Sequence, residues 1–290
     1  MNKPKNIGII GYGNMGSAIA RQIKDKYSLV IFDLNQSKTV KVAGIKVAAD
    51  LNDLLSACQA VIIAVKPQNL NSILPAIKAL SEPPLLISIA AGVATKDIQT
   101  ASEPKRVKVI RAMPNLFVRY GTGRTAICKG EYAENTELLF VKKLFECVGE
   151  VRVIAEENMD VVTVVSGSSP GYLSYLIEKD NIVPEKRDEY IDEIIPGYVE
   201  AAEAAGLVSE EAKFFVEGTG SSLKEYLEEH PESPQEFRKQ VTSEGGTTEA
   251  AIEELRLEGS PKDVVNAAIK RAKELAKLVQ DEIKKDGGDE

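Results

Sequence analysis

A doubly wound α/β domain followed by an all-α domain is the architecture this sequence predicts, and three observations carry it. Short apolar runs alternate with helical patterns through the first half of the chain. A G-x-G-x-x-G turn joins the first of these runs to the first helical pattern. After about Glu156 the strand-like runs stop, and stretches rich in Ala, Glu, Lys and Leu take over. The expected division is therefore residues 1–156 and residues 157–290.

The runs Asn6–Gly11, Leu29–Asp33, Ala60–Lys66, Leu85–Ala91 and Val107–Arg111 carry Val, Ile and Leu on consecutive positions. That pattern predicts parallel strands covered on both faces. Between them lie expected helices at Met15–Lys26, Leu51–Cys58, Asn69–Leu80 and Thr95–Ser102, with loops punctuated by Pro67 and the Pro83-Pro84 pair. Strand–helix repetition of this kind makes a doubly wound sheet. Two further runs, Thr125–Cys128 and Val151–Ile154, flank an expected helix from Ala133 to Cys147 and are placed in the same sheet. In the second half the expected helices are Lys186–Ala205, Glu210–Glu229, Thr247–Leu257 and Pro261–Lys285. The last begins at Ser260-Pro261, with proline at the first helical position.

Composition narrows the function. Thirty-six basic against 44 acidic residues give a net charge of −8, which argues against a general nucleic-acid binder. No stretch approaches about 18 consecutive apolar residues, so no membrane span is expected. The start runs directly into a strand-like segment, and Cys58, Cys128 and Cys147 lack C-x-x-C spacing, so reduced thiols and a cytoplasmic setting are expected. A single histidine, His230, excludes a multi-histidine metal site and disfavours histidine acid–base chemistry.

The segment Gly11-Tyr12-Gly13-Asn14-Met15-Gly16 is a strand–turn–helix glycine motif. Its first glycine makes the tight turn and its second admits a pyrophosphate to the backbone N–H groups. Its third lets helix pack on strand, and the helix start adds partial positive charge. The first domain is thus expected to be a Rossmann-type dinucleotide-binding domain. Asp33 closes the second strand, 22 residues after Gly11, where a carboxylate accepts ribose hydroxyls. Two unit charges about 4 Å apart at an effective dielectric near 20 repel by about 4 kcal/mol, so Asp33 would disfavour a 2′-phosphate. NADH is expected in preference to NADPH, with Lys38 or Lys41 able to offset part of that repulsion.

With these motifs in order, the sequence resembles the pyrroline-5-carboxylate reductases. The resemblance rests on Gly11–Gly16, Ala64-Val65-Lys66-Pro67-Gln68, Ser88–Gly92, Arg111–Asn115, Ser166–Tyr172 and Gln240–Thr248. It implies reduction of the cyclic imine 1-pyrroline-5-carboxylate to L-proline by a nicotinamide cofactor. It implies a cofactor edge at Ala64, Val65, Lys66 and Pro67, with Asn115 beside the nicotinamide. It also implies that Ser243, Gly245, Gly246 and Thr247 capture the substrate carboxylate, that Thr248 approaches the ring nitrogen, and that the helical domain builds a homodimer or a higher assembly of dimers. Read on its own, Ser-x-Gly-Gly-Thr-Thr before a helix is either an anion-binding arrangement or a helix start capped by Thr247 or Thr248.

A protonated imine needs no strong general acid, whereas ketone reduction must protonate an alkoxide. A chain with one histidine suits the imine better. The sequence departs from the resemblance at Ser169, Gly171 and Glu244, and by an apparent charged insertion near 178–195 containing Pro184. Glu244 is compatible with carboxylate binding if it points to solvent or pairs with Arg238 or Lys239. These departures leave two alternatives, a reductase of a different cyclic imino acid or small oxo acid, and a non-catalytic nucleotide-binding paralogue.

Overall fold

In the computed structural model of the chain, residues 6–39, 42–230 and 234–286 are described. Lys41, Pro231 and the tail 287–290 lie outside them. The fold divides into two units. The first comprises residues 1–114, 118–156 and 276–290, and the second 115–117 and 157–275. The short segment 115–117 thus leaves the strand it follows and counts with the helical unit, an allocation no linear reading contains.

The first unit is built on eight strands: β1 (Asn6–Ile10), β2 (Ser28–Phe32), β3 (Lys46–Val47), β4 (Ala60–Ile63), β5 (Leu85–Ser88), β6 (Val109–Pro114), β7 (Gly123–Lys129) and β8 (Gly149–Val153). Their order is β3-β2-β1-β4-β5-β6-β7-β8. Pairing is parallel throughout except between β6 and β7. The order reverses at β1, between its neighbours β2 and β4, and there a doubly wound sheet opens its ligand crevice. Helices α1 (Asn14–Ile23), α2 (Leu51–Ala57), α3 (Leu74–Ala79), α4 (Thr95–Ala101) and α5 (Asn135–Phe145) connect the strands.

Strand residues alternate between two cores. Ile7, Ile9 and Ile31 pack with Ile19 and Ile23 of α1 and Phe145 of α5. Ile10, Val61 and Ile63 pack with Leu54 and Leu55 of α2 and Ile77 of α3. Burial on both faces explains the unbroken aliphatic runs. The expected strands Ala60–Lys66 and Leu85–Ala91 overshoot at their carboxyl ends, where the chain turns into loops, whereas Val107–Arg111 stops short of β6, which runs on to Pro114. The expected helix Asn69–Leu80 is replaced by a 3₁₀ segment, Pro67–Ser72, and the shorter α3. Pro75, which has no N–H to donate, fits only in a first turn.

The second unit contains α6 (Met159–Val162), a π-helical segment Thr163–Ser168, α7 (Ser169–Lys179), α8 (Arg187–Ala204), α9 (Ser209–Glu229), α10 (Pro234–Val241) and α11 (Thr247–Arg256). Helix α12 (Pro261–Asp286) begins here, and its residues from 276 count with the first unit. Ser260 and Asp263 cap its start reciprocally, through Ser260 N–H to Asp263 at 3.0 Å and Asp263 N–H to Ser260 Oγ at 3.4 Å. The charged stretch near 178–195 contains a break: α7 ends at Lys179, and a 3₁₀ turn at Pro184–Lys186 leads into α8. α10 was not expected, because PQEFRKQV carries little apolar pattern. Its Phe237 is fully buried, stacked on Phe117 with ring centroids 5.2 Å apart and tilted against Tyr226 at 4.3 Å.

Candidate functional site

In the first unit the glycine turn is dictated by backbone proximity. Gly11 adopts φ +96, and a Cβ there would stand 2.7 Å from the Ala64 carbonyl oxygen. A Cβ on Gly16 would run into the Gly11 carbonyl oxygen. Gly13, the N-cap of α1, has no atom within 4 Å of its Cβ position, so the middle of the turn faces open space. A groove of about 770 Å³ opens there, lined among others by Gly11, Gly13, Asn14, Met15, Asp33, Ala64, Val65 and Lys66. Tyr12 and Gly16 support the turn as buried residues, and Pro67 starts the 3₁₀ segment behind Lys66.

Asp33 is nearly buried and fully engaged. One carboxylate oxygen accepts the Tyr12 N–H at 2.7 Å and the other the Asn35 N–H at 2.8 Å. Lys38 Nζ stands 3.3 Å from Oδ2. A second cavity, of about 610 Å³, shares Lys38 with the groove and is lined also by Tyr12, Arg21, Lys24 and Ser37. Lys38 thus pairs with the Asp33 carboxylate of the groove and lines, with Arg21 and Lys24, the cavity beside it.

Asn115 belongs to the second unit, where its Nδ2 donates to Ser166 Oγ at 3.2 Å and Thr219 Oγ1 at 3.3 Å. Ser166 and Thr219 are themselves 3.0 Å apart, and all three residues are buried. The widened π turn carries Ser166 into this cluster and Ser168 to Thr247, with the two hydroxyls 2.8 Å apart.

The 243–248 turn runs from the end of α10 into α11. Gly245 adopts φ +66, and Gly246 is the N-cap, so neither Thr247 nor Thr248 caps the helix. They are its first two residues; the cap backbone is ordinary extended chain, and Gly246 is needed there because a Cβ would run into Ser243. Gly245 N–H donates to Glu249 at 2.6 Å, Gly246 N–H to the Ser243 carbonyl at 3.0 Å, and Arg271 Nε to the Gly245 carbonyl at 2.6 Å. Thr248 is buried, and its hydroxyl donates to the Val241 carbonyl at 3.1 Å. Ser243 and Glu244 are exposed. Arg238 pairs with Glu178 rather than Glu244, at 2.8 and 3.0 Å. Glu178 holds the Arg238 guanidinium above its ordinary pKa, chiefly by that hydrogen bond, against a smaller effect of burial.

Glu249, Arg271 and the Val241 carbonyl are absent from the sequence-based expectation. Only Glu249 leaves a trace there, as an acid three residues after a glycine that opens a helix. His230 stacks on Tyr226 at 4.5 Å and has a packing role. Among the described residues no group of His, Cys, Asp or Glu is arranged to hold a metal, and no helix is long and apolar enough to cross a membrane. Burial pushes the Cys58 thiol up to about 11 and the Cys128 thiol up to about 12, so both are protonated at neutral pH.

Two family models match the chain. Residues 189–277 match Pyrroline-5-carboxylate reductase dimerisation, and residues 6–92 match NADP oxidoreductase coenzyme F420-dependent. The pyrroline-5-carboxylate reductase of Synechocystis is 33% identical over 282 residues, covering 93% of this chain and 98% of the relative. The Escherichia coli enzyme of that name is 30% identical over 286 residues, covering 94% and 98%. The solved structure of a pyrroline-5-carboxylate reductase from Coxiella burnetii superposes with a TM-score of 0.61 at 28% identity, covering 94% and 99%. The chain belongs to the pyrroline-5-carboxylate reductase family.

Proposed function

We propose that this chain reduces 1-pyrroline-5-carboxylate to L-proline with a nicotinamide cofactor. The observation that carries the reading is the Thr248 hydroxyl, fixed at the start of α11 beside a glycine turn. The groove over Gly11–Gly16 fits a dinucleotide. Its volume suits a cofactor site, Gly13 leaves the turn open to a pyrophosphate, and Asp33 stands at the end of β2. When bound, the nicotinamide supplies a hydride that forms the new C–H bond at the imine carbon while the C=N π pair passes to nitrogen.

The chain's own residues bind and orient. Gly245 N–H is held by Glu249 and Gly246 N–H by Ser243. The substrate carboxylate is therefore assigned to the first-turn N–H groups of Thr247 and Thr248, which have no partner within the helix. Ser243, Gly245, Gly246 and Thr247 shape the turn that presents them. The Thr248 proton is committed to the Val241 carbonyl, so its oxygen is left as an acceptor. An acceptor selects the protonated iminium, whose N–H donates to it, over the neutral imine. The nitrogen thus arrives carrying its proton, and no histidine is required. Lys66 and Pro67 serve as the cofactor edge, and Asn115 as an amide beside the nicotinamide.

Asp33 supports a preference for NADH, and Lys38 with its neighbouring cations keeps NADPH admissible. The dimerisation match over 189–277 supports a homodimer or an assembly of dimers. Three free thiols fit a reducing, cytoplasmic setting. The test is NADH oxidation by the purified chain, with pyrroline-5-carboxylate assayed beside 2-oxo acids. Turnover of the imine is expected. Turnover of oxo acids alone, or NADH binding with no turnover, overturns the reading.

A further inference from the structure

The peptide that joins Gly245 to Gly246 is held at both ends. Its carbonyl, from Gly245, accepts Arg271 Nε at 2.6 Å, and its N–H, from Gly246, donates to the Ser243 carbonyl at 3.0 Å. A peptide between two glycines meets little steric resistance to turning over. Once turned, it would point its carbonyl oxygen where its N–H now points, beside the start of α11. Arg271 opposes that motion from α12. Its Nη1 pairs with Glu274 at 3.1 Å, so the guanidinium is gripped on two edges. Its Nη2 lies 3.2 Å from the place a Gly245 Cβ would take, so the guanidinium rests against the glycine itself.

Charge adds a second constraint. Glu249 accepts the Gly245 N–H at 2.6 Å and puts a negative charge on the turn. Arg271 brings a positive charge to the carbonyl of the same residue. Its side chain is 31% exposed, so that charge is only partly screened.

We propose that Arg271 is a positioning residue for the substrate carboxylate: it keeps the Gly245–Gly246 peptide from turning and offsets the charge of Glu249, so that an anion can enter the start of α11. The inference rests on the assignment of the carboxylate to the first-turn N–H groups of that helix. Arg271 acts through the turn, so it governs binding of the imino acid and leaves hydride transfer and cofactor binding alone.

The test uses the full chain, with NADH oxidation for KM and kcat and calorimetry for L-proline, a product carrying the same carboxylate. Arg271→Ala should raise KM for pyrroline-5-carboxylate, and weaken L-proline binding, by about tenfold, the lower end for a hydrogen bond to a charged group. kcat and NADH affinity should not change. Arg271→Lys keeps the charge and loses the two-edged grip, so KM should rise by only about threefold. Glu249→Gln should lower KM by about fivefold in the Arg271→Ala background, against about twofold alone, because the two charges are coupled. A purely structural pair gives no such gain.

Alanine is a strong helix former, so Arg271→Ala should fold, as circular dichroism will record. Should it unfold, Arg271→Lys decides. An unchanged KM in the variant that folds overturns the inference, as does an equal fall of kcat or NADH affinity. A Glu249→Gln gain no larger in Arg271→Ala than in wild type overturns it too. Each of these leaves the proposed function standing, whereas no turnover of pyrroline-5-carboxylate by wild type overturns both.

Discussion

The two glycine turns that open helices in this chain, at 11–16 and at 243–248, are built in opposite ways. In the first, backbone meets backbone: Gly11 lies against the Ala64 carbonyl and Gly16 against the Gly11 carbonyl, with open space over Gly13. In the second, polar groups do the holding. Glu249 and Ser243 take the glycine N–H groups, Arg271 takes a glycine carbonyl, and Val241 takes the Thr248 hydroxyl. A turn fixed by sterics has no tolerance for an added atom. A turn held partly by the side chains of Glu249 and Arg271 can be retuned at those two hydrogen bonds. That difference suits an invariant pyrophosphate in one unit and a discriminated small molecule in the other.

Gly16→Ala should break the first turn most severely. Its Cβ meets a backbone oxygen that has no rotamer to adopt, so the strand–helix junction must open. NADH affinity should fall at least about a hundredfold, by fluorescence titration, with a lower Tm. Retained affinity would remove the steric account of the motif. In the second turn, Thr248→Ala removes one acceptor from a charged nitrogen. A hydrogen bond to a charged group is worth about 1.5–3 kcal/mol, so kcat should fall tenfold to a hundredfold. NADH affinity should not change. Unchanged turnover would take Thr248 out of the mechanism.

The sequence made the first turn legible and the second only half so. Strand–turn–helix periodicity and three glycines suffice for a site whose parts are neighbours in sequence, and β1, α1 and Asp33 all follow from it. The strand missed, β3, is two exposed residues long, too short to carry a period. Helix α10 was missed because PQEFRKQV carries little helical pattern, and burial of Phe237 decides it instead. At the second turn, Ser-x-Gly-Gly-Thr-Thr signals an anion site or a cap. Which groups occupy the glycine N–H groups is a question of geometry. So is the close approach of Gly171 to Thr248, 77 positions apart in sequence.

Lys38→Ala sharpens the comparison from the first unit, where electrostatics rather than sterics should set cofactor choice. Lys38 is 45% exposed, so its pair with Asp33 is screened, and such pairs contribute at most about 1 kcal/mol. Removing it should raise the NADH-to-NADPH ratio of kcat/KM by about threefold. A shift towards NADPH would mean that Asp33 does not face the 2′ position.

Glu249→Gln is the smallest expected effect and the one that best separates the two designs, because it should weaken the fold while tightening substrate binding. Glu249 accepts the Gly245 N–H at 2.6 Å from the first turn of α11, so it places a negative charge where the substrate carboxylate is assigned. Glutamine keeps an acceptor oxygen in the same place and removes the charge. A carboxylate near a helix N-terminus contributes about 0.3–1 kcal/mol through the helix dipole, so Tm should fall slightly. Like-charge repulsion of the substrate is lost at the same time, and at a solvent-screened site KM should fall by about twofold. A higher KM together with a lower Tm would show that the turn needs its internal carboxylate more than the substrate resents it. Polar holding would then matter as much at 243–248 as backbone packing does at 11–16.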